Sequence, residues 1–566
     1  MNNLKDKLNI FLFLIITIIT PVILNILLNS NKKITIISII TVLISFISYQ
    51  ILNKEREFNF QILTNHRVYL FFLFLIAFIT QNVNLNFETL DWDIHSYLVV
   101  AMDIDRGNIP LENQWESKGP LLFYLYNFIL KIGNYNFVYF KILNDFILFL
   151  ISSFLFFSIY KVKNKNPLIS FLCSALFLIL MSQTWAQAEY SEIYSLLFIS
   201  CVYCIFFNFK VNTRILFIIS LLISFSTLIN QGTILFLLGF LIFLIISKQF
   251  IISKNVILSV LSGLAIPHLF FLFIYFRKDL FSIYKATFFD IPIGYTSASL
   301  SSIRELSIFL RSYFNHDLFL YITIIFIIAS VLISLIMRNI EFPNKTFFYF
   351  VFINLFISLM FYFIGSHNYY HHLFFLLYFL SFLPNLLKKT DFQLLILSLV
   401  FFSVLSVSFK SFENSFNNLK NVNNLLDDYP LYQASQMIDQ KFERDYTILA
   451  LDYVAILHYL NKPNYSYIVH PSNHFEPYIS EALIKSKKIR PDEVNKLISE
   501  NPDIILCSGR KIMSGEIKNQ EFFNCEISDW KKNYLKLDTS VYKENKNLNY
   551  YHDPYRPIDI FVNTNP

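Results

Sequence analysis

Charge is what this sequence has least of. Only 15% of its 566 residues are Asp, Glu, Lys or Arg, whereas 55% are hydrophobic. A soluble domain carries about one quarter charged residues, so a fold surrounded by water is excluded. Cysteine is sparse and unremarkable, five residues in all. Cys173, Cys201 and Cys204 fall in apolar stretches, where a thiol is a packing residue. Cys507 and Cys525 share the polar C-terminal region, and whether they pair turns on whether that region faces an oxidising space. No internal repeat, low-complexity linker or metal-ligand spacing is present. The apolar run Ile10–Leu28 is too long for a signal peptide and precedes no small-x-small cleavage site before Lys32, so it reads as a first membrane helix.

What the chain does have is long apolar blocks, among them Ile10–Leu28, Ile34–Leu52, Phe137–Tyr160 and Leu318–Met337. Each is long enough to cross about 30 Å of hydrocarbon as a helix, the form in which a segment satisfies its own backbone in lipid. Counting them gives about thirteen spans: residues 8–29, 34–52, 68–84, 136–160, 168–183, 190–209, 215–230, 232–247, 256–276, 316–337, 346–364, 370–387 and 391–410. A cytoplasmic N-terminus puts Lys54, Arg56 and Arg67, Lys161 to Lys165, Lys210 and Arg214, Lys248 and Lys254, Arg338 and Lys345, and Lys388 and Lys389 all inside. The net charge of +6 is therefore a topology signal, and nucleic acid is not an expected partner. The same orientation places outside a first polar loop within residues 84–135, a short loop at 183–189, a longer one at 277–315, a turn at 365–370 and everything after about Ser411.

That last region changes character. Tyr446–Asp452, Ser466–His470 and Asp503–Cys507 read as strands, while Tyr453–Leu460 and Pro491–Glu500 read as helices. The expected architecture is thus an all-α polytopic membrane domain over residues 1–410, followed by a small extracytoplasmic α/β domain over 411–566.

The chemistry concentrates in the first outer loop. Asp91-Trp92-Asp93-Ile94-His95-Ser96-Tyr97 is followed by Gly107-Asn108-Ile109-Pro110 and by Trp115-Glu116-Ser117-Lys118-Gly119-Pro120. A carboxylate at the membrane–water boundary is partly desolvated, which raises its basicity toward that needed to take a proton from a hydroxyl. A lone ammonium ahead of the apolar run Leu121–Leu130 suits a phosphate headgroup. On residue types alone, solvated acids and a snorkelling lysine describe the stretch better than catalysis does.

The combined pattern D-x-x-x-Y, G-x-x-P and W-x-x-K-G-P resembles the first outer loop of the GT-C glycosyltransferases, especially the dolichyl-phosphate-mannose–protein mannosyltransferases and the aminoarabinose transferases. The match is close from Asp91 to Pro120 and loose elsewhere in the membrane region. It departs from the family where Ile94 stands in place of a second acid and Leu111 in place of the usual Tyr. The resemblance implies a GT-C fold and an inverting transfer of sugar from a polyprenyl-phosphate donor to an acceptor hydroxyl. It makes Asp93 the base and puts Lys118 on the donor phosphate, with His371 beside it. Asp91 and Glu192 are implied as supporting acids, and Tyr97, Gln231, Lys285 and His372 as sugar or lipid contacts. The loop carrying Lys285, Asp290 and Tyr295 resembles the segment that covers the donor lipid. The expected partners are the bilayer, the lipid-linked sugar and an acceptor glycan, lipid or protein, in the plasma membrane, with no cofactor and no metal. The C-terminal domain is expected to help bind the acceptor and to carry no catalytic residue. An O-antigen-type polymerase or ligase is the rival enzyme, predicting Arg and His pairs in a late loop. A lipid-linked-glycan transporter is the rival outside the class, predicting midplane ionisable residues and repeat symmetry.

Overall fold

The computed structural model describes residues 66–88, 92–162, 166–181, 186–246, 253–298, 345–363, 369–386, 413–442, 445–507, 533–537 and 560–564. The expected spans 8–29, 34–52, 316–337 and 391–410 lie outside them. The other nine fall on helices, so the count of thirteen is neither reached nor tested among the described residues. Four helices are long and apolar enough to cross a membrane by length and composition: α4 (Phe137–Val162), α6 (Ser191–Asn208), α9 (Lys254–Arg277) and most of α12 (Lys345–Phe363). Shorter apolar helices accompany them: α1 (His66–Asn82), α3 (Pro120–Ile132), α5 (Pro167–Leu180), α7 (Thr213–Thr227), α8 (Ile234–Ile246) and α13 (Phe374–Leu380).

Packing follows sequence order. α1 lies against α4 and α5, α4 against α6, α6 against α7, and α7 against α9. The α7–α9 contact is close because Gly263 has no side chain; a Cβ there would sit 2.5 Å from the Phe217 carbonyl oxygen. Pro267 interrupts the backbone hydrogen bonding of α9, and Ser224 of α7 donates to the Leu264 carbonyl at 2.8 Å. The carbonyl that Pro267 leaves without its usual donor is that of Gly263, so the Ser224 bond is a tie between α7 and α9 beside the proline. The outward row Leu269, Phe270, Phe273 and Phe276 on α9 is more than half exposed, as a lipid-facing surface should be.

Three short helices project from the bundle: α2 (Trp92–Asp103) in the first loop, and α10 (Phe281–Lys285) and α11 (Ile291–Ala298) after α9. Over them sits the C-terminal region, with helices α14 (Pro430–Lys441), α15 (Ala455–Tyr459), α16 (Pro477–Lys485) and α17 (Glu493–Ser499). Its sheet has the order β1-β2-β4-β3, with β1 (Ile448–Ala450) parallel to β2 (Ile504–Leu506) and the remaining pairs antiparallel through β4 (Ile560–Asn563) and β3 (Tyr534–Lys536). The expected strands at 446–452 and 503–507 are therefore β1 and β2. The expected strand Ser466–His470 is not in the sheet. It pairs instead with the first loop, through a single parallel bridge between Ile468 and Trp115. Cys507 is engaged in a disulfide, Cys173, Cys201 and Cys204 are thiols, and Cys525 lies outside the described residues.

Several contacts fasten the C-terminal region to the helical part, two of them at Glu88 and Trp115. Glu88 is fully buried, and its carboxylate accepts the Leu431 and Tyr432 amides at 2.8 and 2.9 Å, capping the start of α14. Free amides at a helix N-terminus favour a carboxylate there. The second fastening is the Trp115 bridge. The apolar residues of both parts form one continuous core, and a smaller cluster of Leu449, Leu451, Leu497, Ile505 and Phe561 packs within the C-terminal region.

Candidate active site

The D-x-x-x-Y spacing acquires a physical meaning on α2. Residues four apart share a helix face, and the Tyr97 hydroxyl donates to Asp93 Oδ2 at 2.9 Å. Tyr97 is fully buried, so it holds the carboxylate from below and is not presented as a sugar contact.

The Lys-Gly-Pro turn is equally constrained. The Gly119 amide donates to the Ile229 carbonyl at 3.0 Å, and a Cβ at Gly119 would lie 2.1 Å from the Leu228 carbonyl oxygen. Only glycine allows the loop that close to the end of α7. Pro120 then opens α3, a position where its missing N–H costs nothing. Lys118 is thereby delivered to Glu192, in the first turn of α6, with Nζ 3.3 Å from Oε1. Glu192 also accepts from Asn230 Nδ2 at 2.8 Å and from Ser191 Oγ at 3.0 Å, and it faces His372 Nε2 at 3.9 Å. The expected lone ammonium thus has a counter-ion, since an unpaired buried charge is too costly to keep.

His371 brings the two carboxylates into one site. Its ring stacks on Tyr190 at 4.6 Å and on Tyr369 at 5.4 Å, and its Nε2 lies 4.0 Å from Asp93 Oδ2. From the opposite side comes His470 of the C-terminal region, with Nε2 2.7 Å from Asp93 Oδ1 and Nδ1 2.9 Å from Ser472 Oγ.

These neighbours reverse the expected electrostatics of Asp93. Burial does push its pKa up, but the His470 hydrogen bond and the charges of His470, His371 and Lys118 outweigh burial and hold the carboxyl well below the usual range. The predicted rise in basicity is corrected: Asp93 is an ionised, tightly hydrogen-bonded carboxylate. Burial works against the Lys118 ammonium, yet Glu192, Asp93 and Glu116 more than compensate and raise its pKa. Glu192, His371 and His372 each offer one donor atom within 4.8 Å of the others, a spacing open to a cation, and Lys118 already supplies a positive charge there.

Comparison with solved structures places this arrangement on a known scaffold. ArnT from Cupriavidus metallidurans bound to undecaprenyl phosphate superposes with a TM-score of 0.56 at 12% identity, over 78% of this chain and 92% of that one. The fold is that of ArnT. The apo form of the same protein gives a TM-score of 0.52 at 10% identity with the same coverage. The Archaeoglobus fulgidus oligosaccharyltransferase tethered with an acceptor peptide reaches 0.44 at 11% identity, over 78% of this chain and 69% of that one. No family model and no curated protein matches the sequence.

Of the residues singled out from the sequence, Asp93, Tyr97, Lys118, Glu192, His371 and His372 converge on this one site. Asp91 lies outside the described residues. Gln231 does not offer its amide nitrogen to a sugar; it donates to the Ser117 and Thr287 carbonyls at 3.0 and 3.3 Å, tying the first loop to the segment after α10. Lys285 is half exposed and paired with Asp290 at 2.7 Å, an ion pair on the surface rather than a contact within the site. His470 was not foreseen, and neither was Asn230, which reads in the sequence as a simple polar turn.

Proposed function

We propose that this chain is a membrane glycosyltransferase that moves a sugar from a polyprenyl-phosphate donor to an acceptor hydroxyl at the outer face of the plasma membrane. The observation that carries the reading is the single buried site in which Asp93, Lys118, Glu192 and His371 meet, on a scaffold shared with a protein that binds undecaprenyl phosphate.

In this reading the acceptor hydroxyl attacks the anomeric carbon, and its proton passes to Asp93. The bond from the anomeric carbon to the phosphate oxygen breaks with its electron pair staying on the phosphate, so one displacement inverts the anomeric configuration. A low proton affinity fits a base that accepts late, once the attacking oxygen has become acidic. Lys118, with His371 and His372 as nearby N–H donors, meets the charge that develops on the departing phosphate; stabilisation of that kind is the largest catalytic contribution in many enzymes. Glu192 holds Lys118 in place between turnovers. The exposed aromatic face of α9 and the segment after it supply a lipid-side approach for the donor. The acceptor is a glycan, a lipid headgroup or a protein hydroxyl, and the region after Ser411 helps bind it.

The test is to supply the purified protein in nanodiscs with radiolabelled polyprenyl-phosphate hexoses and pentoses together with an envelope extract. Transfer of label with release of polyprenyl phosphate is the expected result. Failure of every donor to react, with undecaprenyl phosphate giving no change in melting temperature, would refute the proposal.

A further inference from the structure

We infer that the C-terminal region is part of the catalytic centre, and that His470 is the positioning residue that fixes the orientation of Asp93. The inference rests on the reading of Asp93 as the base.

Asp93 has two carboxylate oxygens, and each has its own donor. Oδ2 receives the Tyr97 hydroxyl from its own helix, while Oδ1 faces His470 Nε2 at 2.7 Å from a segment far away in sequence. With a donor on each oxygen the carboxylate plane is fixed. His470 is itself held: Ser472 Oγ lies 2.9 Å from Nδ1, and the ring meets Trp92 edge-on at 6.0 Å. Trp92 in turn donates from Nε1 to Asp452 at 3.0 Å, so both ends of the His470–Asp93 contact are anchored to the C-terminal region.

The register of the bridge accounts for this delivery. The Trp115 amide donates to the Tyr467 carbonyl at 2.7 Å, and the Val469 amide donates back to Trp115 at 3.1 Å. Gln114 reinforces the pairing by donating to Asn464 and accepting from its amide at 3.0 and 2.8 Å. One residue beyond Val469 is His470, at Asp93. Beyond Trp115 on the other strand, Glu116 accepts from Asn473 at 3.2 Å and from the Lys118 amide at 3.0 Å. One clip therefore sets the base and the phosphate-binding lysine together.

In the transfer step His470 keeps its proton: the acceptor proton goes to Asp93, and His470 Nε2–H stays on Oδ1. Removing His470 leaves Tyr97, His371 and Lys118 facing Asp93, with Glu192 behind Lys118. The carboxyl pKa then rises, since the hydrogen bond and charge that lowered it are gone.

The experiment compares Asp93→Asn, His470→Ala, His470→Gln and the double variant Asp93→Asn/His470→Ala in the full-length protein. His470→Ala should lower kcat about ten- to hundredfold with donor KM little changed, and should move the acid limb of the pH profile upward. His470→Gln, which keeps an N–H donor, should recover part of the rate. A second measurement needs no sugar: in melting curves of the same four proteins, the loss for the double variant should be smaller than the sum of the two single losses. A fully active Asp93→Asn would overturn the reading of the base. A dead Asp93→Asn beside an unaffected His470→Ala, or strictly additive melting losses, would overturn this inference while leaving that reading in place.

Discussion

The two carboxylates of the site sit in contrasting surroundings. Asp93 is 17% exposed and held by a tyrosine and a histidine, whereas Glu192 is fully buried and held by an ammonium, an amide and a hydroxyl. One has a face left open to a substrate and the other has none. A carboxylate that must exchange a proton needs access, and one that must hold a cation needs enclosure. Under the proposed function the contrast suits Asp93 to reaction and Glu192 to support, although both were singled out from the sequence as acids at the same membrane face.

The largest expected effect breaks this contrast on the reactive side. Asp93→Asn keeps the shape but removes proton acceptance, and turnover should fall about a hundred- to ten-thousandfold, while undecaprenyl phosphate still raises the melting temperature. Near-normal turnover would return Asp93 to the status of a neighbour. The supporting side should fail differently. Glu192→Gln strands Lys118 in a buried setting, and breaking a buried pair costs about 3–5 kcal/mol, so a large drop in melting temperature should exceed any seen for Asp93→Asn. Equal drops in the two variants would erase the distinction.

Gly119→Ala sharpens the comparison without touching either acid. Its methyl would meet backbone at 2.1 Å, which forces the loop away from Leu228 and carries Lys118 off Glu192. We expect weaker retention of undecaprenyl phosphate and a melting loss smaller than that of Glu192→Gln. A wild-type melting curve would show that the turn has room to shift.

The smallest effect is one of pH. Burial depresses His458 and His474 to about 3 and His95 well below its usual value, with His458 and Lys141 adding to the effect at His95. Folded pKa values below the unfolded one mean that stability present above about pH 6.5 is lost as pH falls, at about 1.4 kcal/mol per pH unit for each imidazole. Glu88 opposes this. Its pKa is raised to about 7, chiefly by burial, so its contribution is greatest below 4.5 and disappears by 7. Three imidazoles outweigh one carboxyl, and hydrogen-exchange protection in residues 445–507, corrected for the slower intrinsic exchange at acid pH, should weaken from pH 7 to 5. Unchanged or stronger protection would show that these rings are not closed off from water.

What was legible in the sequence was whatever a local pattern encodes. Hydrophobic runs marked the described spans, and Asp93 with Tyr97, and Lys118 with Gly119 and Pro120, are arrangements whose geometry is completed within a helical turn or a tight loop. Glu192 and His371 were legible because polar residues opening apolar helices need partners. The partners themselves were not. Nothing in the spacing of Lys118 reveals that Glu192 will neutralise it, and the lowered pKa of Asp93 depends on His470, which is adjacent only after folding. The run Ser466–His470 has the aromatic and β-branched composition of a strand, but composition does not say which strand it will join.

The clip at Trp115 also bears on when the protein becomes active during its own synthesis. Glu116 and Asn473 are 357 positions apart, so the first loop is made early and waits while the helices between are inserted. Closing so large a loop is slow compared with forming local turns, and chains of this size assemble in stages as they emerge. A nascent or truncated chain would thus hold Asp93 and Tyr97 without His470. Under the proposed function catalytic competence would arrive last, when the C-terminal region has found the first loop.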